Sequence, residues 1–164
     1  MKTLTILRHA KSSWSQPDLP DHDRPLNKRG NRDAPVMGEC LTEAGVRPSL
    51  IVSSSAVRAW KTARLVAKAI CYPVEFLQKE PALYHAGVNR IFDVVAAQDN
   101  GFNSIMIVGH NPGLTDFANV LVPGVTDNIP TAGFVSILVD ADDWDLRVRN
   151  SAKLIAFDYP KRHR

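Results

Sequence analysis

Leu4-Thr5-Ile6-Leu7-Arg8-His9 opens the chain with a short aliphatic and β-branched run that ends on an arginine and a histidine. The run has the composition of a strand. The same pattern returns twice. Leu50-Ile51-Val52 runs into Ser53-Ser54-Ser55-Ala56-Val57-Arg58, and Ser104-Ile105-Met106-Ile107-Val108 runs into Gly109-His110-Asn111. Helical periodicity fills the intervals. One helix is expected from about Lys28 to Gly45, with Val36, Cys40 and Leu41 on a common face. A second runs from Ala56 through Trp60, Ala63 and Val66 and stops before Pro73, with the serines before it as caps. Val88 to Gln98 and Leu114 to Leu121 read as two more. Val74–Leu77 reads as a short strand, and Phe134–Val139 and Lys153–Phe157 as late strands. Ser15 to Asn27, with Pro17, Pro20 and Pro25, reads as an irregular loop. Strands alternating with helices predict an α/β fold: a three-layer α/β/α sandwich around a mixed, mostly parallel sheet.

Outward from these motifs, the chain is unremarkable in bulk. Its 164 residues are 45% hydrophobic and 23% charged, with a net charge of +3. This is the composition of a globular chain of one domain, residues 1–164, and excludes a disordered or fibrous one. The N-terminal apolar run is interrupted by Arg8 too early for a secretory segment, and no apolar run reaches the ~18 residues of a membrane span. Cys40 and Cys71 form no C-x-x-C pair and read as two reduced thiols in a cytoplasmic monomer, not a disulfide or zinc framework. The basic tail Lys161-Arg162-His163-Arg164 reads as a solvated, frayed terminus. Aromatic residues do not alternate with basic ones, so neither nucleic acid nor membrane is an expected partner. Trp14, Trp60 and Trp144 read as packing residues, and Met37 and Met106 as core. His22 lies between Asp21 and Asp23, a spacing that cannot easily aim three ligands at one metal; it reads as part of a solvated loop.

Sites in open α/β sheets form outside the carboxyl ends of the strands. Three strand ends therefore bring Arg8, His9, Arg58 and His110 to one rim. Two guanidinium groups can clamp a dianionic phosphoryl group. A histidine kept neutral beside them can attack phosphorus, and a second can donate a hydrogen bond to a phosphoryl oxygen. Helix starts after Ser55 and Asn111 add positive potential. The design requires neither metal nor cofactor. No G-x-S-x-G elbow, Walker-type loop or G-x-G-x-x-G follows a strand, which disfavours the corresponding hydrolase and nucleotide-binding folds.

These residues also carry a resemblance. Arg8-His9-Ala10-Lys11-Ser12, then Ser54-Ser55-x-x-Arg58-Ala59 with Thr62-Ala63, then Gly109-His110-Asn111, resemble the ordered signature of the histidine phosphatase (phosphoglycerate mutase-like) superfamily. Arg24-Pro25-Leu26, Gly30, Pro130-Thr131-Ala132 and the short length resemble its SixA-type phosphohistidine phosphatases. The resemblance implies a phosphoglycerate mutase-like fold, with His9 as the phosphorylated nucleophile and Arg8, Arg58 and His110 around the phosphate. Ser15, Arg24, His85 and Thr131 are candidate substrate contacts. Larger relatives place an acidic residue where this chain reads Glu80-Pro81-Ala82-Leu83-Tyr84-His85, so Tyr84 or His85 stands at the proton donor's position. A missing acid favours phosphohistidine on a protein over a phosphate ester. A phosphatase acting on a small phosphorylated metabolite and a non-catalytic phosphoprotein-binding module are the alternatives.

Overall fold

The computed structural model describes residues 1–148 and 151–164. Its centre is a six-stranded sheet in the order β3-β2-β4-β1-β5-β6. The strands are β1 (Lys2–Arg8), β2 (Leu50–Ser53), β3 (Gln78–Lys79), β4 (Ser104–Gly109), β5 (Phe134–Asp140) and β6 (Ser151–Asp158). The first four run parallel, whereas β5 is antiparallel to β1 and β6 antiparallel to β5. The register sets Arg8 beside Gly109 and Ser53 beside Val108, so three strands end level with one another.

Side-chain alternation divides the core in two. Leu4, Ile6, Leu50, Val52, Ile105 and Ile107 face one side, where α3 (Val88–Ala96) and α4 (Gly113–Leu121) cover them with Ile91, Phe92, Leu114 and Phe117. Leu7, Ile51, Met106 and Val108 face the other, beneath α1 (Lys28–Glu43) and α2 (Val57–Ala69), which contribute Met37, Leu41, Ala63 and Val66. The expected three layers result. Met37, Met106 and Trp144 are fully buried, as core residues should be.

Several local expectations are corrected. Val74–Phe76 is a 3-10 turn, not a strand: Pro73 fixes its entry, and Tyr72 donates its hydroxyl hydrogen to the Phe76 carbonyl. The strand next to β2 is the short Gln78–Lys79. The serines before α2 do not cap it; Ala56 is the N-cap and has no side-chain bond. Trp14 is exposed and lies against the Arg24 guanidinium, 3.5 Å from the ring centroid. The tail is not frayed. Pro160–His163 forms a 3-10 turn, His163 bonds Asp158 at 2.8 Å and Arg164 bonds Asp33 at 2.9 Å. Among the described residues, no helix is long and apolar enough to cross a membrane.

Candidate active site

The carboxyl ends of β1, β2 and β4 open into a cavity of about 260 Å³ lined by Arg8, His9, Arg24, Arg58, His110 and Thr131, among others. Backbone bonds fix His9 from three directions. Its N–H donates to Gly109, its carbonyl accepts from Ala132, and the next N–H, from Ala10, reaches the Thr62 hydroxyl at 2.9 Å. Thr62 in turn donates to the Arg58 carbonyl, tying the β1 end to the first turn of α2. Two glycines let neighbouring segments close on this rim. A Cβ on Gly30 would meet the Lys11 carbonyl at 2.2 Å, and one on Gly113 the Ala86 carbonyl at 2.0 Å.

The His9 ring is fixed too. It is 7% exposed, and Nδ1 lies 2.7 Å from the Ala10 carbonyl. A carbonyl can only accept, so Nδ1 carries the proton and Nε2 keeps its lone pair. Burial lowers the pKa to about 4; the Ala10 hydrogen bond opposes that shift, and the charges of Arg58, Arg8 and Arg24 reinforce it. His110 is equally buried, 5.2 Å from His9 between ring centroids, and burial together with the His9 and Arg58 charges lowers its pKa to about 3. Its Nε2 lies 2.7 Å from the Ser54 hydroxyl, which also accepts from the Ala56 N–H. If Ser54 gives its own hydrogen to Nε2, every atom of that chain is satisfied and the ring's proton resides on Nδ1.

Asp21 is the residue that strand-end reasoning missed. It lies in a 3-10 turn (Asp21–Asp23) folded against the start of α2. Arg58, 4% exposed, donates to its carbonyl at 2.7 Å and to its carboxylate at 3.0 Å. Arg24 donates to the same carboxylate at 3.1 Å, and Tyr84 at 2.7 Å. The Tyr84 hydrogen bond and the two arginines hold the Asp21 carboxyl far below its ordinary range, against the opposing effect of burial. No strand end precedes this turn, and the only signal was a carboxylate three residues before Arg24. His22, expected in a solvated loop, bonds the Ser55 hydroxyl at 2.9 Å and meets Tyr84 edge-on, so the loop packs on the site.

The secondary candidates separate. Arg24 is buried, bonded to Ser12 at 2.6 Å, and Thr131 lines the cavity. His85 lies at the mouth, largely exposed, with Nε2 3.8 Å from Asp21. Ser15 is outside: its hydroxyl pairs with Ser13 on the surface. Asn111 accepts from Thr115 and donates to the Ile129 carbonyl, which also receives Arg8 at 3.0 Å. The Thr131 loop is thereby stitched to β1 and α4.

The profile of the histidine phosphatase superfamily (branch 1) matches residues 4–79. An uncharacterized protein of Mycobacterium leprae is 31% identical over 94% of this chain and 100% of its own length. The chain belongs to the histidine phosphatase superfamily, and phosphatase is the activity which that membership supports. Within it, the crystal structure of a putative phosphohistidine phosphatase SixA from Agrobacterium tumefaciens superposes with a TM-score of 0.80 at 27% identity, covering 97% of this chain and 98% of that one. A SixA protein histidine phosphatase complexed with tungstate shares the fold, with a TM-score of 0.82 at 21% identity over 99% of both chains.

Proposed function

We propose that the chain hydrolyses phosphohistidine on a protein through a phosphoenzyme on His9. The observation that carries this reading is the tautomer of His9: a buried, neutral ring whose Nδ1–H is committed to the Ala10 carbonyl, leaving Nε2 as the nucleophile among Arg8, Arg24 and Arg58. In the first step Nε2 forms a bond to phosphorus as the bond to the leaving nitrogen breaks. His9 becomes a phosphorylated imidazolium, and the Ala10 carbonyl accepts from its positive ring. In the second step a water oxygen attacks phosphorus, the P–Nε2 bond breaks, and the water's proton leaves with phosphate or to solvent. His9 returns to its starting tautomer.

Arg8, Arg58 and His110 hold the phosphoryl oxygens in this reading. Arg8 Nε, Arg58 Nε and His110 Nδ1 are buried without a protein partner, and buried polar groups are normally paired. An oxyanion at the strand ends supplies that pairing. Arg24, Thr131 and His85 contact the substrate at the edge.

Support for phosphohistidine comes from the proton inventory. An alkoxide must be protonated to leave, whereas a phosphohistidine protonated on its second nitrogen leaves as neutral imidazole. Among the described residues no carboxylate lines the cavity, and Asp21 beside it is held ionised. The mouth also lies at an exposed surface beside Trp14 and His85, open to a side chain carried by another protein.

The test is to incubate the protein with a phosphohistidine-bearing protein and with p-nitrophenyl phosphate, each in EDTA, and to trap the phosphoenzyme at alkaline pH. Faster turnover of the first, through an acid-labile adduct that His9→Ala abolishes, is the expected result. Preference for the ester points to a small metabolite, binding without turnover points to a docking module, and wild-type rates in His9→Ala overturn the mechanism.

A further inference from the structure

We propose that Cys40, Asp158 and His163 form a binding site for a zinc-class divalent cation that pins the C-terminal turn to α1. The three residues come from α1, the end of β6 and the Pro160–His163 turn. One ligand atom from each lies within 4.8 Å of the other two. The cluster is remote from the catalytic cavity in its residues and shares none of them.

Two geometric facts favour a metal over a plain hydrogen-bonded latch. His163 Nε2 carries at most one proton, yet it faces both carboxylate oxygens of Asp158, each at 2.8 Å, and the Cys40 sulfur at 3.5 Å, whose own thiol hydrogen is drawn to the same carboxylate. A cation in place of that proton engages all the groups at once. The sulfur–nitrogen separation also fits. Bonds of about 2.3 Å to sulfur and about 2.0 Å to nitrogen, at a tetrahedral angle, set those ligands about 3.5 Å apart. The carboxylate must withdraw from the imidazole by about half an ångström to take its own tetrahedral corner.

The donor set selects the metal. A thiolate, an imidazole and one carboxylate suit zinc and its spectroscopic substitute cobalt(II), not magnesium or calcium, which take oxygen shells. Glu39 and Glu43 on α1 add negative potential around the thiol, opposed by Arg162, whose Nη1 lies 4.0 Å from Asp158. Binding replaces the Cys40 thiol proton, which goes to buffer, and water completes the coordination. Arg164, paired with Asp33 one side further along α1, already holds the turn in place for the metal.

Cobalt(II) titration of the reduced, EDTA-treated full chain tests the site, because a thiolate ligand gives a near-ultraviolet charge-transfer band that His9 and His110 cannot produce. One equivalent should develop the band, zinc should displace it, and zinc at a hundredfold excess over its Kd should raise Tm by at least about 3 °C. Cys40→Ser and His163→Ala should lose the band; Cys71→Ser and His9→Ala should keep it. Because His163 is exposed, His163→Ala decides the matter even if Cys40→Ser fails to fold. Absence of the band at equimolar cobalt, its persistence in His163→Ala, or its loss in Cys71→Ser overturns the proposal.

Discussion

The two ends of the parallel strands differ in nearly every property. At the carboxyl ends, Arg8, Arg58, His9 and His110 crowd a cavity of about 260 Å³. At the amino ends, Val46, Leu50, Ile70, Tyr72, Phe76 and Phe102 line a groove of about 560 Å³, larger and mainly apolar. Size alone would point to the wrong end. Topology decides between them: α2 and α4 begin beside the small cavity, with their positive dipole ends and unsatisfied N–H groups, whereas α1 and α2 finish beside the groove. An anion is favoured at one end and disfavoured at the other. The same strands thus serve both rims, and helix polarity gives only one of them the field for phosphoryl chemistry.

This contrast can be broken most directly at Arg58. Arg58→Ala should lower kcat/KM by about 10²–10³-fold, while Phe76→Ser, at an exposed position in the groove, should leave it within about twofold. Comparable losses in both variants would abolish the distinction. Steady-state kinetics on one substrate is sufficient.

A second break uses pH. Buried His9 and His110 hold pKa values of about 4 and about 3, below the ordinary value of 6.5. Between pH 6.5 and 4 the unfolded chain therefore takes up protons that these folded rings refuse. Stability should fall as pH drops through that window, by at most roughly 1.4 kcal/mol per unit for each ring. Urea denaturation of the wild type and of His9→Ala should show a shallower slope in the variant; identical slopes would mean that His9 is not held neutral. Over the same range kcat/KM should lose none of its nucleophile until pH approaches about 4.

The smallest effect sharpens the comparison inside the cavity itself. Asp21 occupies donors of Arg58 and Arg24 that an oxyanion also seeks. Asp21→Asn removes the competing charge and keeps the shape, so tungstate should bind about 3–10-fold tighter by calorimetry. Weaker binding would show that Asp21 instead orders the arginines for the anion.

How much was legible in the sequence follows the same division. The three layers and the mostly parallel sheet were within reach because β1, β2 and β4 carry aliphatic and β-branched runs and the helices between them one-sided apolar faces; the two-residue β3, Gln78–Lys79, has no such run. Arg8, His9, Arg58 and His110 could be placed at one rim because each follows such a run within a few residues. Asp21 has no such marker; its position depends on how the proline-rich loop folds back over α2, a long-range fact. Val74–Leu77 misled because apolar content cannot distinguish a strand from a tight turn entered through Pro73 and closed by the nearby Tyr72 hydroxyl. The tail misled for the opposite reason: its charge suggested solvation, but Asp158 and Asp33 lie within reach to pair it.

The short contact between the His9 ring and the Ala10 carbonyl has one more consequence, in regiochemistry. A histidine can carry phosphate on either nitrogen, and the two adducts are distinct compounds separable by isomer-specific antibodies or phosphorus NMR. With Nδ1 engaged by its own neighbour's backbone, the phosphoenzyme proposed above would be the tele isomer alone, whatever the phosphoryl donor.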